Sequence, residues 1–142
     1  MTEAIKVNCE KSLREFIDRV HGFHDALLHE AILLHPGYVD DEQQMWGDAD
    51  LPNARLIFQS QLDDVLALQV ELKRVSRFEF NPRRELELEG EITRKGEVAL
   101  YLTGREGSDV CQIRAAEVEY RMLGRAFLGR SYRLFQENNE GA

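Results

Sequence analysis

All four histidines of the chain lie between residues 21 and 35, and they are the side chains best suited to chemistry. Two carboxylates lie among them, and the order is His21, His24, Asp25, His29, Glu30 and His35. Imidazole and carboxylate groups are common metal ligands and proton-transfer groups. This segment is therefore the first place to look for a ligand or metal site.

Metal binding requires ligands that converge on one point. On a strand, His29 and His35 share a face but stand roughly 20 Å apart at ~3.3 Å per residue, which is too far for chelation. A fold-back could still bring His29 toward His24 and Asp25. In the structural alternative, His24 and Asp25 hydrogen-bond the backbone of a turn. We therefore take His24, Asp25 and His29 as a candidate ligand or turn site, and we assign no catalytic residue, metal or cofactor.

A second group is the acidic stretch 38–53, which contains no basic residue and is predicted to be a long loop. The candidate partner-binding residues are Asp40, Asp41, Glu42, Trp46, Asp48 and Asp50. An aromatic anchor with acidic surroundings suits the recognition of a basic protein partner. In the alternative interpretation, Trp46 folds down as a lid on the core.

Other motifs of site chemistry are not indicated. Cys9 and Cys111 lie far apart, outside any CxxC or Cys/His pattern, so neither a disulfide framework nor a zinc ribbon is predicted. The serines and glycines form no GxSxG, GxGxxG or P-loop. The alternating glutamates at 85, 87, 89 and 91 are typical of a solvated sheet face.

Basic and aromatic residues alternate near the C-terminus. They are Tyr120, Arg121, Arg125, Phe127, Arg130, Tyr132, Arg133 and Phe135. Such a segment could stack on nucleic-acid bases and contact phosphates. The net charge of −8 disfavours that interpretation, because phosphate contacts need cations. Docking of this segment against the acidic stretch is the alternative.

The 142 residues fit a single globular domain spanning 1–142, with a tail that frays from about residue 136. No run of residues approaches the roughly 18 apolar positions of a membrane span. The first ten residues lack the features of a signal peptide, so the expected location is the cytoplasm.

Ser12 and Glu15 have the spacing of a capping box, and apolar residues at helical spacing follow them. This pattern predicts a helix over 13–21. Residues 26–35 suit either a helix or a buried strand. We favour a strand, because the antiparallel strands that follow need a central partner.

Alternating apolar residues predict strands at 55–62, 65–75, 85–92, 98–102 and 110–122, and the strand character of 65–75 continues over 77–81. Turns are predicted at Asp63-Asp64, at Lys95-Gly96 and over 104–109. The last strand contains two alternations out of phase, which predicts a bulge near Ala115-Ala116. The predicted class is α+β, with an N-terminal helix packed on a curved, mostly antiparallel sheet of about six or seven strands. An exposed edge would favour a homodimer.

The succession of Phe23-His24-Asp25, an alternating apolar segment and a strand meander resembles small bacterial proteins with an early Phe-His-Asp motif. Some of those proteins are similar to immunity proteins of toxin systems. With the acidic stretch, this favours a non-enzymatic protein-binding module, immunity-like or adaptor-like, in the bacterial cytoplasm. The competing interpretation is a small enzyme or a ligand- or metal-binding protein that uses His24, Asp25 and His29.

Overall fold

The computed structural model describes residues 3–47, 50–81, 88–104 and 107–129, and it shows one α-helix and nine strands in them. The helix α1 spans Glu10–Val20. The strands are β1 Ile5–Lys6, β2 Ala26–Leu34, β3 Tyr38–Val39, β4 Met45–Trp46, β5 Asn53–Ser60, β6 Ala67–Phe80, β7 Glu89–Lys95, β8 Glu97–Thr103 and β9 Asp109–Leu123. Short 3-10 helices occupy His21–Phe23 and Arg125–Phe127.

Seven strands form one sheet in the order β2-β5-β6-β9-β8-β7, and β1 pairs with β9. Every pairing in this sheet is antiparallel. The strands β3 and β4 form a separate two-stranded hairpin. The predicted α+β class is confirmed.

The helix begins earlier than its sequence pattern predicts. Cys9 is the N-cap, and Ser12 occupies the third helical position. The Ser12 hydroxyl accepts hydrogen bonds from the backbone N–H groups of Asn8 and Cys9, at 3.0 and 3.1 Å. The predicted capping box of Ser12 with Glu15 is wrong. In the observed box Cys9 is the N-cap, and Ser12 is the third helical residue, whose side chain accepts from the N-cap backbone.

The prediction of a strand after the first helix is confirmed, since β2 runs from Ala26 to Leu34. Its position differs from the expectation, because β2 pairs with β5 at one end of the sheet order and is not central. The register shifts between Leu28 and Glu30, so His29 sits at a bulge. The apolar run over 26–34 does not distinguish an end position from a central one, because a sequence pattern indicates how buried a strand is and not how many strands pair with it.

The long strands β6 and β9 change phase together. In β9 the alternation of buried and less buried residues is interrupted between Ala115 and Val118. Both of these residues are buried, and the two between them, Ala116 and Glu117, are exposed. The matching shift in β6 passes through Arg74, which has a φ of 55°. The register between the two strands also slips, between Val75 and Arg77. The predicted change of phase near Ala115-Ala116 is therefore present, but the extra residue of the register shift lies in β6, between Val75 and Arg77, and not in β9.

One apolar cluster joins the buried face of α1 to one face of the sheet. Phe16 of α1 packs on Tyr120 of β9, with 4.4 Å between ring centroids. The opposite face of the sheet carries ion pairs, such as Lys73 with Glu119 at 3.4 Å. A smaller cluster on that face is covered by Phe127 and Leu128.

Several predictions on segments need correction or fall outside the described residues. The stretch 38–53 is not one long loop, because it contains the hairpin β3–β4. Some predicted features lie outside the described residues. They are the glutamates at 85 and 87, Asp48, the basic and aromatic residues from 130 onward, and the tail from 136. No helix in the described ranges is long and apolar enough to cross a membrane.

Candidate functional site

The histidine-rich segment forms a tight turn between α1 and β2. Its φ angles fall in the left-handed region at four positions: 51° at His21, 61° at Gly22, 63° at Phe23 and 62° at Asp25. Glycine adopts this conformation freely, whereas each of the other three residues costs on the order of 1 kcal/mol or more. The turn persists because its surroundings fix it.

Phe23 anchors the turn in the core. Its side chain is 1% exposed, and its ring lies 5.8 Å from that of Phe16 and 4.8 Å from that of Phe58. The backbone of Gly90 in β7 lies against the same ring, where an added Cβ would come within 2.3 Å of Cδ2. The phenylalanine of the Phe-His-Asp motif is thus a core residue, and the two polar residues that follow it are exposed.

His24 and Asp25 line a cavity of about 690 Å³. The described residues that line it are His24, Asp25, Ala26, Leu27, Gln59, Ser60, Gln61, Leu88 and Leu128. The backbone N–H of Gln61 donates to the carbonyl of Asp25 at 2.9 Å, which ties the turn to the end of β5. A volume between roughly 300 and 1,000 Å³ is typical of small-molecule sites. Both proposed roles of these residues, ligand site and turn, are therefore compatible with their placement.

The third member of the predicted cluster does not join them. His29 lies on β2 with its Nε2 4.0 Å from Oε1 of Glu30, and it is not among the residues that line the cavity. His35 accepts a hydrogen bond on Nδ1 from the backbone N–H of Gly37 at 2.9 Å. In the ranges that the structure describes, no three His, Cys, Asp or Glu side chains are placed to hold a metal ion. The fold-back that would bring His29 to His24 and Asp25 does not occur, because β2 extends away from the turn.

A second candidate site is the hairpin of β3 and β4, where Tyr38 pairs with Trp46 and Val39 with Met45. Its base is tight, since an added Cβ on Gly37 would lie 2.8 Å from the carbonyl oxygen of Trp46. Its tip is a short turn in which the Gln43 N–H donates to the Asp40 carbonyl at 3.0 Å, with Gln43 at a φ of 65°.

Asp40 organises the hairpin through its carboxylate. Oδ1 accepts the backbone N–H groups of Glu42 and Gln44, each at 2.9 Å, and Oδ2 accepts the indole N–H of Trp46 at 2.7 Å. These donors stabilise the ionised form, so the Trp46 indole and the two amides hold the pKa of Asp40 below its ordinary value. One carboxylate thereby fixes both the turn and the tryptophan.

The hairpin exposes apolar side chains on both of its faces. Tyr38 and Trp46 lie on one face, at 61% and 51% exposure, and Val39 and Met45 lie on the other, at 58% and 82%. The alternative in which Trp46 covers the core does not match this half-exposed position. Four carboxylates of the predicted acidic set, Asp40, Asp41, Glu42 and Asp50, lie in the described part of this stretch.

Sequence reasoning missed two features of these sites. The hairpin was hidden because each of its strands has two residues, too few for periodicity to report. The signal available was the pair of apolar dipeptides Tyr38-Val39 and Met45-Trp46 around a polar turn. The distant cavity residues Gln59, Ser60, Gln61, Leu88 and Leu128 carry no local signal, because the fold alone brings them to His24.

Comparison of the chain with protein-family models, with curated proteins and with solved structures found no match.

Proposed function

We propose that this chain is a non-enzymatic protein-binding module of the bacterial cytoplasm, immunity-like or adaptor-like, and that its hairpin binds a basic protein partner. The observation that carries the proposal is Trp46, half exposed and fixed by the 2.7 Å hydrogen bond to Asp40. Tryptophan is among the residues that contribute most to protein interfaces.

The rigidity of this anchor matters for affinity. Binding orders side chains at a cost of about 0.5–1.5 kcal/mol for each one that loses its freedom. The indole is already held by Asp40, and the turn is closed by the two amides that the same carboxylate accepts. Less freedom therefore remains to be lost when a partner covers the ring.

Charge defines the class of partner. Between residues 36 and 54 the chain carries five acidic residues and no basic one. Three of them, Asp40, Asp41 and Glu42, form the turn between the exposed apolar pairs. A surface with an apolar centre and a negative rim complements a basic surface. The attraction between the two surfaces increases the rate of encounter, and added salt weakens it. The partner would be blocked sterically where the hairpin lies on it, in the manner of an immunity protein.

The test is affinity capture by the tagged full chain from nuclease-treated lysate, followed by direct binding measurements with the captured protein after purification. The double variant Met45→Ser/Trp46→Ser removes the exposed anchors, and Asp41→Asn/Glu42→Gln removes two charges. The matched control is Asp63→Asn/Asp64→Asn, which removes two exposed carboxylates from another turn.

We expect a basic partner whose dissociation constant rises at least tenfold in the anchor variant, a change of about 1.4 kcal/mol. The charge variant should weaken binding chiefly at low salt, and the control should bind normally. Equal binding by all variants, capture of an acidic protein, or the absence of any captured protein would contradict the proposal. Recovery of further copies of this chain alone would replace it with the predicted homodimer.

A further inference from the structure

We infer that the cavity beside the Phe-His-Asp turn is a binding site for a small amphipathic organic cation, a primary ammonium or a guanidinium on an apolar body. This site is separate from the hairpin, because it lies at Ala26 and the hairpin follows Leu34, at opposite ends of β2. Eight residues of strand correspond to roughly 26 Å. The inference therefore does not depend on the proposed function.

The polar groups of the cavity offer acceptor atoms and therefore favour a ligand that donates hydrogen bonds. Asp25 contributes a carboxylate, whose Oδ1 lies 3.8 Å from Nε2 of His24, and no lysine or arginine is among the nine described residues that line the space. The Gln59 amide nitrogen is occupied, because Nε2 donates to the carbonyls of Phe127 and Gly129 at 3.2 and 3.1 Å. The Gln59 side chain therefore has its acceptor oxygen left to offer.

The Ser60 hydroxyl keeps its O–H donor and can also accept from a ligand. Its hydroxyl oxygen accepts the backbone N–H of Leu62 at 3.0 Å, and an acceptor lone pair remains on it. A ligand that brings several N–H donors and a positive charge would satisfy the Asp25, Gln59 and Ser60 oxygens together. An anionic ligand would meet the carboxylate of Asp25, and the described lining residues include His24 but no lysine or arginine to offset that charge.

The apolar part of the lining defines the rest of the ligand. Ala26 and Leu27 contribute from β2, and Leu88 and Leu128 contribute from segments distant in the sequence. Apolar walls with a few placed polar groups are the usual composition of a small-molecule site. Burial of an alkyl or aryl body on these leucines gives the affinity, at about 0.8 kcal/mol for each buried CH₂ group, and the acceptors select the head group.

The backbone of the turn places Asp25 for this role. Asp25 keeps a left-handed φ of 62° while its carbonyl accepts from Gln61, so its side chain is held beside the end of β5. Asparagine tolerates the same conformation. The variant Asp25→Asn therefore removes the charge and leaves the turn intact.

The experiment is an amide-resolved NMR titration of the full chain with four probes that each contain a six-carbon chain: hexylammonium, hexylguanidinium, hexanol and hexanoate. We expect the two cations to give saturable shifts at Asp25, Ser60 and Gln61. Hexanol should bind at least tenfold more weakly than the cations, and hexanoate should not bind. Asp25→Asn should weaken cation binding at least tenfold, and the matched variant Asp18→Asn, an exposed aspartate on α1, should not.

A second variant, Leu27→Trp, fills the cavity from β2 and should abolish the shifts at Ser60 and Gln61 with every probe. Equal binding of hexanoate or hexanol, full cation binding in Asp25→Asn or in Leu27→Trp, or no saturable shift with either cation would overturn the inference. If Asp25→Asn does not fold, the four probes and the Leu27→Trp variant decide the matter.

Discussion

The ring of Phe23 lies directly against the backbone of Gly90, which leaves no room for a side chain at that position. A Cβ on residue 90 would lie 2.3 Å from Phe23 Cδ2 and 3.1 Å from Leu102 Cδ2. We predict that Gly90→Ala destabilises the protein by about 1–3 kcal/mol, because the ring is confined by Phe16 and Phe58 and cannot move aside.

Urea unfolding of Gly90→Ala against the parent chain measures this change in free energy. Gly124→Ala is the matched control, because an added Cβ there has open space and the backbone is in an ordinary conformation. A Gly90→Ala protein as stable as the control would show that the Phe23 ring can move away from the added Cβ.

The two cysteines should differ in reactivity. Burial raises the pKa of the Cys111 thiol to about 12, whereas the Ser12 hydroxyl and nearby backbone N–H groups lower the pKa of the exposed Cys9 thiol. Thiolate is the reactive form, so Cys9 should be alkylated at neutral pH and Cys111 only after unfolding.

The pH dependence of the Cys9 alkylation rate tests the role of Ser12. We predict that Ser12→Ala shifts the midpoint of this profile to higher pH, because the lost hydroxyl no longer stabilises the thiolate. Ser12→Thr retains a hydroxyl and should keep the midpoint near that of the parent chain. The same midpoint in Ser12→Ala and the parent chain would assign the lowered pKa to the helix terminus alone.

Among the elements, the change of phase shared by β6 and β9 passes through the backbone of Arg74. Its φ of 55° is left-handed, and its N–H donates to Oδ1 of Asn53 at 3.0 Å. In a regular strand, valine is favoured over asparagine. At Arg74 we predict the reverse order, because a β-branched residue tolerates positive φ poorly and asparagine tolerates it well.

We expect Arg74→Val to be less stable than Arg74→Asn by about 1–2 kcal/mol in chemical unfolding. The comparison is matched, because both substitutions remove the same exposed ion pair with Glu117. Greater stability of the valine variant would mean that this position is ordinary strand in solution.

The elements themselves were largely predictable from sequence. The strand alternations around Leu56, Leu100 and Ile113 report one buried sheet face, and those residues are in the core cluster. The helix start was missed because Ser12 can serve either end of a capping box. The place of β2 at one end of the sheet order of the described residues was missed, because a local sequence pattern does not show which distant strands pair.

The candidate sites were predictable only in part. His24 and Asp25 were found by residue type, but the cavity needs Gln59 to Gln61 from β5 and its loop, which only the fold brings near. Trp46 and its carboxylates were found by composition. The hydrogen bond that fixes the indole to Asp40 depends on a turn too short to be read from periodicity.

At the scale of the whole molecule, the core and the hairpin should differ in stability. The core clusters contain residues of α1 and the main sheet, and none from the hairpin is among their described members. Regions with few buried apolar contacts open locally at a lower free energy than the global unfolding. The hairpin is therefore expected to open without unfolding the rest.

Acidification should separate these two events. The pKa of Asp40 is depressed in the folded state, so its ionised form stabilises the hairpin fully above the unfolded aspartate value of about 3.9. That stabilisation is lost as the pH falls below this value and through the lower folded pKa. Trp46, the only tryptophan in the sequence, reports the change by fluorescence.

We predict that the Trp46 emission shifts below about pH 3.9 while the far-UV circular dichroism of the main sheet persists. In Asp40→Asn the amide cannot accept the indole N–H and both backbone amides as a carboxylate does, and it does not titrate. The variant should therefore show the low-pH emission already at neutral pH, with no shift on acidification. Emission and circular dichroism that change together in the parent chain would instead mean that the hairpin is an integral part of the cooperative fold, because its opening would then require the core to unfold.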